Sequence, residues 1–188
     1  MNTTKRYSME LRAAAAEATR ERILTAAHDL FLERWYDDVT LAVIAERAGV
    51  SGQTVINHFG GKEGLFTGVQ ERFGRDVGDI RYSATPGDVD SIVEVLLDDY
   101  ERTGDAVIRL LALEEKVPSV APMLAVGRRG HREWVEAMFD APEVTAELVV
   151  ATDVYTWKLL RRDQGLSRKK TAASMRRLIQ GILERRTR

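Results

Sequence analysis

Gln53, Thr54 and Asn57 fall on one side of a short predicted helix. Gln53 and Asn57 are four residues apart, which places them on the same helix face. The amide of Gln or Asn can form two hydrogen bonds with the major-groove edge of adenine, and the methyl of Thr can contact that of thymine. These residue types at this spacing therefore predict contacts with base edges in double-stranded DNA.

The surrounding segment, residues 41–59, reads LAVIAERAGVSGQTVINHF and predicts two short helices joined by a tight turn. Thr40 and Ser51 are expected to cap the two helices. Ala45 is small where the helices cross, and Gly49 suits a turn that requires a positive φ. Two helices joined in this way form a helix-turn-helix, whose second helix enters the major groove.

The composition excludes several classes of protein. The 188 residues include no cysteine, so disulfide frameworks, thiol catalysis and cysteine-ligated zinc are ruled out. No apolar run approaches the roughly 18 residues that a membrane span needs, and the first 20 residues lack the apolar core of a signal peptide. We therefore expect a cytoplasmic protein without a membrane partner. We also expect no cofactor and no metal, because no metal-ligand spacing is present.

The charge is distributed unevenly along the chain. The net charge is −1, but residues 74–157 carry 8 basic and 17 acidic side chains, whereas residues 158–188 carry 11 and 2. The favoured interpretation of this basic tail is that it offsets the acidic middle of the chain, with nucleic acid or an anionic membrane as the alternative. Residues 1–73 carry 9 basic and 10 acidic side chains. DNA binding would therefore depend on local placement of positive charge.

Apolar periodicity predicts helices almost throughout and no strands. The fold class is all-α with about nine helices: an N-terminal helix-turn-helix domain followed by a helical body. The predicted helices are 19–34, 41–48, 52–58, 62–81, 123–139, 143–162 and 168–184, with further helical stripes around 92–100 and 107–111.

Residues 20–66 resemble the DNA-binding domain of the TetR family of bacterial transcriptional regulators. The strings that carry the resemblance are RILTAAHDLF, VTLAVIAERAGVSGQTVINHF and GKEGLF. The resemblance implies a three-helix head, a connecting helix and a ligand-binding body. It also implies a homodimer, a palindromic DNA operator and a small-molecule effector that releases a repressor. The expected domains are an arm at 1–18, the DNA-binding domain at 19–66 and the body at 67–188.

The resemblance also assigns residues by position, with Thr40 and Lys62 at phosphates. The full predicted DNA-binding set is Thr40, Ser51, Gln53, Thr54, Asn57, His58 and Lys62. Three departures from the family pattern matter. Trp35 stands where the family often has glycine, Gln53–Thr54 stands where a Gly–Thr pair is common, and Ile56 stands where a phosphate-binding tyrosine is usual. We therefore expect a phosphate footprint that differs from that of relatives.

Two further sets are predicted in the body. Large apolar residues and one histidine could line a ligand pocket, although helical spacing makes ordinary core the first interpretation. The pocket set is Tyr100, Met123, His131, Trp134, Met138 and Trp157. Apolar faces of the last two predicted helices could form a four-helix dimer interface. The interface set is Val150, Val154, Trp157, Leu178, Ile179 and Ile182.

Two alternatives remain open beside a DNA-binding regulator. The first is an enzyme that would use Glu114 or Glu133 with His131, although no catalytic spacing supports it and no catalytic residue is assigned. The second is a dimeric helical adaptor or ligand-binding protein whose head binds another protein instead of DNA. Steep salt dependence would separate DNA binding from the adaptor.

Overall fold

The computed structural model describes residues 3–118 and 120–185. These residues form nine α-helices and no strand, which confirms the all-α prediction. The helices are α1 Thr3–Glu33, α2 Leu41–Ala48, α3 Gly52–Phe59, α4 Lys62–Arg81, α5 Val89–Leu111, α6 Val120–Phe139, α7 Thr145–Thr152, α8 Val154–Lys158 and α9 Arg168–Arg185. Within the described parts of the chain, no helix is both long and apolar enough to cross a membrane.

The chain divides into two compact units, Met1–Arg75 and Asp76–Arg188. The division falls inside α4, whose first 14 residues lie in unit 1 and whose last six lie in unit 2. Helix α4 is therefore the covalent link between the units.

Unit 1 has its own apolar core, built by α1 to α4. The residues buried in it are Ile23, Leu24, Ala26, Ala27, Leu30, Val39, Ile44, Ala45, Ala48, Val55, Leu65 and Val69. Val55 is the fully buried residue of α3, and Phe59 packs against the same core. The opposite side of α3, with Gln53 and Asn57, is exposed.

Helix α1 begins well before the predicted helix at 19–34. It starts at Thr3, so it runs through most of the predicted arm, and residues 9–18 are exposed along it. Residues 1–2 lie outside the described residues. Ala13–Ala16 favours helix intrinsically, so the extension needs no tertiary contact to explain it.

Unit 2 has a larger core, formed by α5 to α9. Its largest fully buried side chains include Trp134, Trp157, Ile92, Leu96, Leu97, Leu148 and Met175. Helix α5 packs closely on α8 at Gly104, where an added Cβ would lie 2.5 Å from the Trp157 ring. The absence of a side chain at Gly104 therefore makes room for the indole.

The prediction of one continuous helix over 143–162 is wrong. The chain forms a 3₁₀ turn at Pro142–Val144 and then α7, and it breaks at Asp153, which is extended with φ −71° and ψ 152°. The Asp153 carboxylate accepts a hydrogen bond from the Tyr155 amide at 2.8 Å and so caps α8. Helix α8 continues into a π-turn at Leu159–Asp163.

Arginines near the carboxyl end of the chain pair with the acidic face of α5. Arg161 binds Glu101, Arg162 binds Asp105, and Arg168 bridges Glu94 and Asp98. Arg176 also binds Glu94, at 2.6 Å. These ion pairs place basic residues of the tail against acidic residues of the middle of the chain, as expected if the tail offsets the acidic charge. Residues 186–188 of the tail lie outside the described residues.

Candidate nucleic-acid interface and buried polar cluster

The turn between α2 and α3 has the geometry that the sequence predicts. Gly49 adopts φ +65° and ψ 40°, the left-handed conformation that favours glycine. The Thr40 hydroxyl accepts from the Val43 amide at 3.2 Å, and the Ser51 hydroxyl accepts from the Thr54 amide at 3.1 Å. Both predicted N-caps are confirmed, so the start of α3 is set by local hydrogen bonds.

Helix α3 presents an ordered polar face. Gln53 and Asn57 are both exposed, and Gln53 Nε2 donates to Asn57 Oδ1 at 2.9 Å. The hydroxyls of Ser51 and Thr54 lie 2.8 Å apart and share a hydrogen bond. His58 is half-buried on the same helix, with its ring 6.1 Å from that of Phe59. The structure thus brings together the predicted base-reading residues of α3.

Lys62, the first residue of α4, has an intramolecular partner. Its ammonium donates to the Tyr36 carbonyl and lies 4.0 Å from the centre of the Tyr36 ring. Burial lowers the pKa of Lys62, against the opposing carboxylates of Asp37 and Asp38. An ammonium has three donors, so two remain after the bond to Tyr36. Lys62 therefore holds the α1–α2 loop and keeps two further donors.

Two of the departures from the family pattern, Trp35 and Ile56, lie at the surface of unit 1. Trp35 is 51% exposed and Ile56 is 42% exposed. Ile56 cannot donate a hydrogen bond to a phosphate. It places an apolar side chain on the exposed part of α3 instead.

The main feature of unit 2 is a buried polar cluster centred on Arg81, which the sequence analysis did not single out. Arg81 Nε donates to Asp99 Oδ2 at 2.9 Å, and Arg81 Nη1 lies 3.0 Å from His131 Nδ1. His131 Nε2 in turn lies 3.2 Å from Thr152 Oγ1. Tyr100 donates to the Thr152 carbonyl at 2.8 Å. The cluster therefore ties the end of α4 to α5, α6 and the end of α7.

Burial perturbs the ionisable groups of this cluster. Burial, followed by the adjacent Arg81 cation, lowers the pKa of His131 to about 4, although Asp153 and Asp99 oppose the change. Burial also raises the pKa of Tyr100 to about 12. Burial by itself would lower the pKa of Arg81, but Tyr100 and Asp99 raise it above its ordinary value. At neutral pH the cluster holds a charged Arg81 beside an uncharged His131.

The predicted pocket residues divide into two groups. His131 and Trp134 stack with ring centres 5.9 Å apart, and Arg81 lies over the rings of Tyr100 and Trp134 at 5.2 and 5.9 Å. Tyr100, Trp134, Met138 and Trp157 are all buried members of the unit 2 core. Met123, near the start of α6, is half-buried and is not part of that core cluster.

The predicted interface residues also divide. Val154, Trp157 and Ile179 are buried within unit 2 itself, so they cannot contact a partner without opening the core. This corrects their assignment: each faces inward because its helix packs against α5 or its neighbours. Val150 is 66% exposed and Leu178 is 47% exposed. Ile182 is half-buried.

The two carboxylates of the enzyme hypothesis, Glu114 and Glu133, are not among the hydrogen-bond partners of His131. Glu114 accepts two hydrogen bonds from Arg128, one of them at 2.7 Å. Glu133 is exposed on α6. His131 instead uses its two ring nitrogens toward Arg81 and Thr152.

Comparison with known proteins matches unit 1 to a family model. Residues 23–69 match the model described as "Bacterial regulatory proteins, tetR family". The HTH-type transcriptional regulator AcrR of Shigella flexneri is 30% identical over 176 residues, which cover 90% of this chain and 78% of that protein. Several other curated relatives are matched over only 24% to 61% of their own length.

Solved structures share the fold over most of the chain. A transcriptional regulator from Rhodococcus sp. Rha1 has a TM-score of 0.74 at 18% identity, covering 88% of this chain and 96% of that one. A structure described as a SmeT–triclosan complex has a TM-score of 0.64 at 18% identity, covering 87% and 91%. At this identity the likeness concerns the fold alone.

Proposed function

The chain belongs to the TetR family of bacterial regulatory proteins, and from this premise we propose that it is a sequence-specific DNA-binding repressor that a small molecule releases from its operator. The observation that carries the DNA-binding part is the capped helix α3, with Gln53, Thr54 and Asn57 on its outer face. A recognition helix of this kind places its first residues at base edges.

Phosphate contacts would come from groups beside α3. The amides at the start of α2 and α3 favour an anion, and Thr40 and Ser51 lie at those two positions. Lys62 adds a cation with two donors that are not used by the bond to Tyr36. His58 would complete the DNA-facing surface. Because residues 1–73 are nearly neutral overall, phosphate binding would depend on these few groups lying close to α3.

We propose that a second copy of this chain covers the exposed apolar face of α7 and α9. A groove of about 640 Å³ lies between these helices and includes Val144, Leu178 and Ile182. Its lining also carries charges of both signs, with Glu147 and Arg177 among them. A two-fold interface brings one patch against an identical patch, so a patch with both charges can complement itself. A symmetric dimer would bind a palindromic operator.

The buried polar cluster is the element that an effector would bias. Arg81 ends α4, and α4 continues into unit 1. A ligand that replaced the hydrogen bond between Arg81 and His131 would change the contacts that fix the carboxyl end of α4. A ligand shifts an equilibrium only through different contacts in the two states. A structure of the same fold is described as a SmeT–triclosan complex, so a small molecule is the kind of effector that we propose.

The first test is a binding titration of the full-length protein on the DNA flanking its own gene, at two salt concentrations and with unrelated DNA as competitor. The proposal predicts a specific complex whose affinity falls steeply with salt, because phosphate contacts release counterions. Binding to neither this DNA nor any member of a random duplex library would contradict it and favour the adaptor. Transcription from the bound promoter, with and without the protein, then tests repression.

A further inference from the structure

The hydrogen bond between Gln53 and Asn57 suggests how α3 selects its operator. Both side chains are exposed, yet they bind each other across 2.9 Å. An amide that rotates freely can present either its oxygen or its nitrogen to a base. A bond between two amides fixes both orientations before DNA arrives, which lowers the ordering cost of binding.

The geometry matches the spacing of stacked bases. Four residues of helix rise by about 6 Å, but the reaching side chains bring the two amides within 2.9 Å of each other. Successive base pairs are about 3.4 Å apart along the DNA axis. Two amides at this separation can therefore lie over two consecutive base pairs.

The donors and acceptors that remain free differ between the two amides. Gln53 Nε2 donates one proton to Asn57, which leaves Gln53 one N–H donor and its carbonyl oxygen. That pair complements adenine, which offers N7 as acceptor and its N6 amino group as donor. Asn57 Oδ1 accepts this bond with one of its two lone pairs, and both Nδ2 protons remain available to donate. Two donors complement guanine, which offers N7 and O6 as acceptors.

We propose that Gln53 and Asn57 read a two-base-pair step as one unit, with Gln53 on an adenine and Asn57 on the adjacent guanine. The proposal rests on the DNA-binding function above and specifies the operator chemistry of that same surface. Thr54 supports the unit, since the bond to Ser51 engages its hydroxyl and leaves its methyl for a neighbouring thymine.

Coupled recognition by Gln53 and Asn57 predicts a different result from two independent base contacts. If each amide orients the other, losing either one removes the recognition of both base pairs. Gln53→Ala and Asn57→Ala should each weaken specific binding by roughly ten- to hundredfold. The double variant should lose about as much as either single variant, instead of the product of the two losses.

The test uses the full-length protein and a randomised duplex library. Bound sequences are selected with the wild type and with each single variant, and affinities for the best wild-type sequence are then measured by fluorescence anisotropy. Glu136→Ala is the matched control, because Glu136 also forms an exposed i,i+4 pair, with Arg132 of α6. It should leave both affinity and base preference unchanged. Circular dichroism checks that the α3 variants remain folded.

The outcomes separate this proposal from the proposed function. Adjacent adenine and guanine preferences that both vanish in each single variant support the unit. Specific binding with multiplicative losses, or loss of one base preference per variant, overturns the unit but leaves DNA binding intact. If Gln53→Ala loses the guanine preference and Asn57→Ala loses the adenine preference, the donor–acceptor assignment is overturned. Failure of the wild type to select any sequence overturns the proposed function itself.

Discussion

Arg81 Nη1 and His131 Nδ1 lie 3.0 Å apart in unit 2. Because a guanidinium can only donate, Nδ1 of His131 must accept, and its proton is on Nε2. Nε2 then donates to Thr152 Oγ1 at 3.2 Å, and the Thr152 hydroxyl donates to the Leu148 carbonyl at 2.7 Å. One directed chain of hydrogen bonds thus runs from the end of α4 to the end of α7, and it requires a neutral imidazole.

This requirement predicts a pH dependence of stability. The pKa of His131 falls from 6.5 to about 4 on folding, so the unfolded chain binds more protons between these values. The free energy of unfolding should therefore fall as pH drops from about 6.5 toward 4, by at most about 3 kcal/mol. His131→Gln, which can still accept from Arg81 but does not titrate, should reduce this slope. Urea unfolding followed by tryptophan fluorescence, to which buried Trp134 and Trp157 contribute, measures it.

The control for that experiment is His58→Gln, which removes a histidine from unit 1. It should keep the wild-type slope between pH 7 and pH 5, the window above most carboxylate titrations. An unchanged slope in His131→Gln would show that His131 does not link folding to protons.

Asp99 should be the most sensitive charged position of unit 2. It is 1% exposed and accepts from Arg81 and, at 3.0 Å, from Thr103. Asp99→Asn would leave a buried guanidinium without its counterion, at a cost of about 3–5 kcal/mol. The neighbouring Asp98→Asn breaks only an exposed pair with Arg168 and should cost less than about 1 kcal/mol. Equal losses of unfolding free energy would contradict the role of the cluster.

Gly104 should not tolerate a methyl group. Its added Cβ would lie 2.5 Å from the Trp157 ring, so Gly104→Ala should destabilise the protein by about 1–3 kcal/mol through overpacking. Gly127→Ala offers a matched helical control, because nothing lies within 4 Å of its added Cβ. That variant should be neutral or up to about 1 kcal/mol more stable. Thermal unfolding monitored by circular dichroism compares the two, and equal midpoints would refute the packing argument.

Leu178 should control dimerisation if α7 and α9 form the interface. Leu178→Glu would place like charges together at a two-fold interface and should convert the dimer into a monomer, as measured by light scattering after size-exclusion chromatography. Val126→Glu changes an exposed apolar residue of α6 and should leave the dimer intact. A dimer that survives Leu178→Glu would place the interface elsewhere.

The helix-turn-helix could be predicted because its determinants are local. Thr40 and Ser51 cap helices within three residues of themselves, and Gly49 adopts the left-handed turn without help from distant contacts. The break at Asp153 escaped prediction although its capping bond is also local. Apolar residues lie close to it on both sides, so the hydrophobic pattern predicted a continuous helix.

The amino-acid sequence by itself determined the helical class, the turn and the outward face of α3, since each depends on periodicity or on hydrogen bonds over a few residues. Only the tertiary structure decided that Arg81 would meet Asp99 and His131, which lie 18 and 50 positions away along the chain. It also decided that Trp157 serves the core instead of an interface. Burial is a property of how helices pack together, and an apolar stripe shows that a side chain will be covered without showing what covers it.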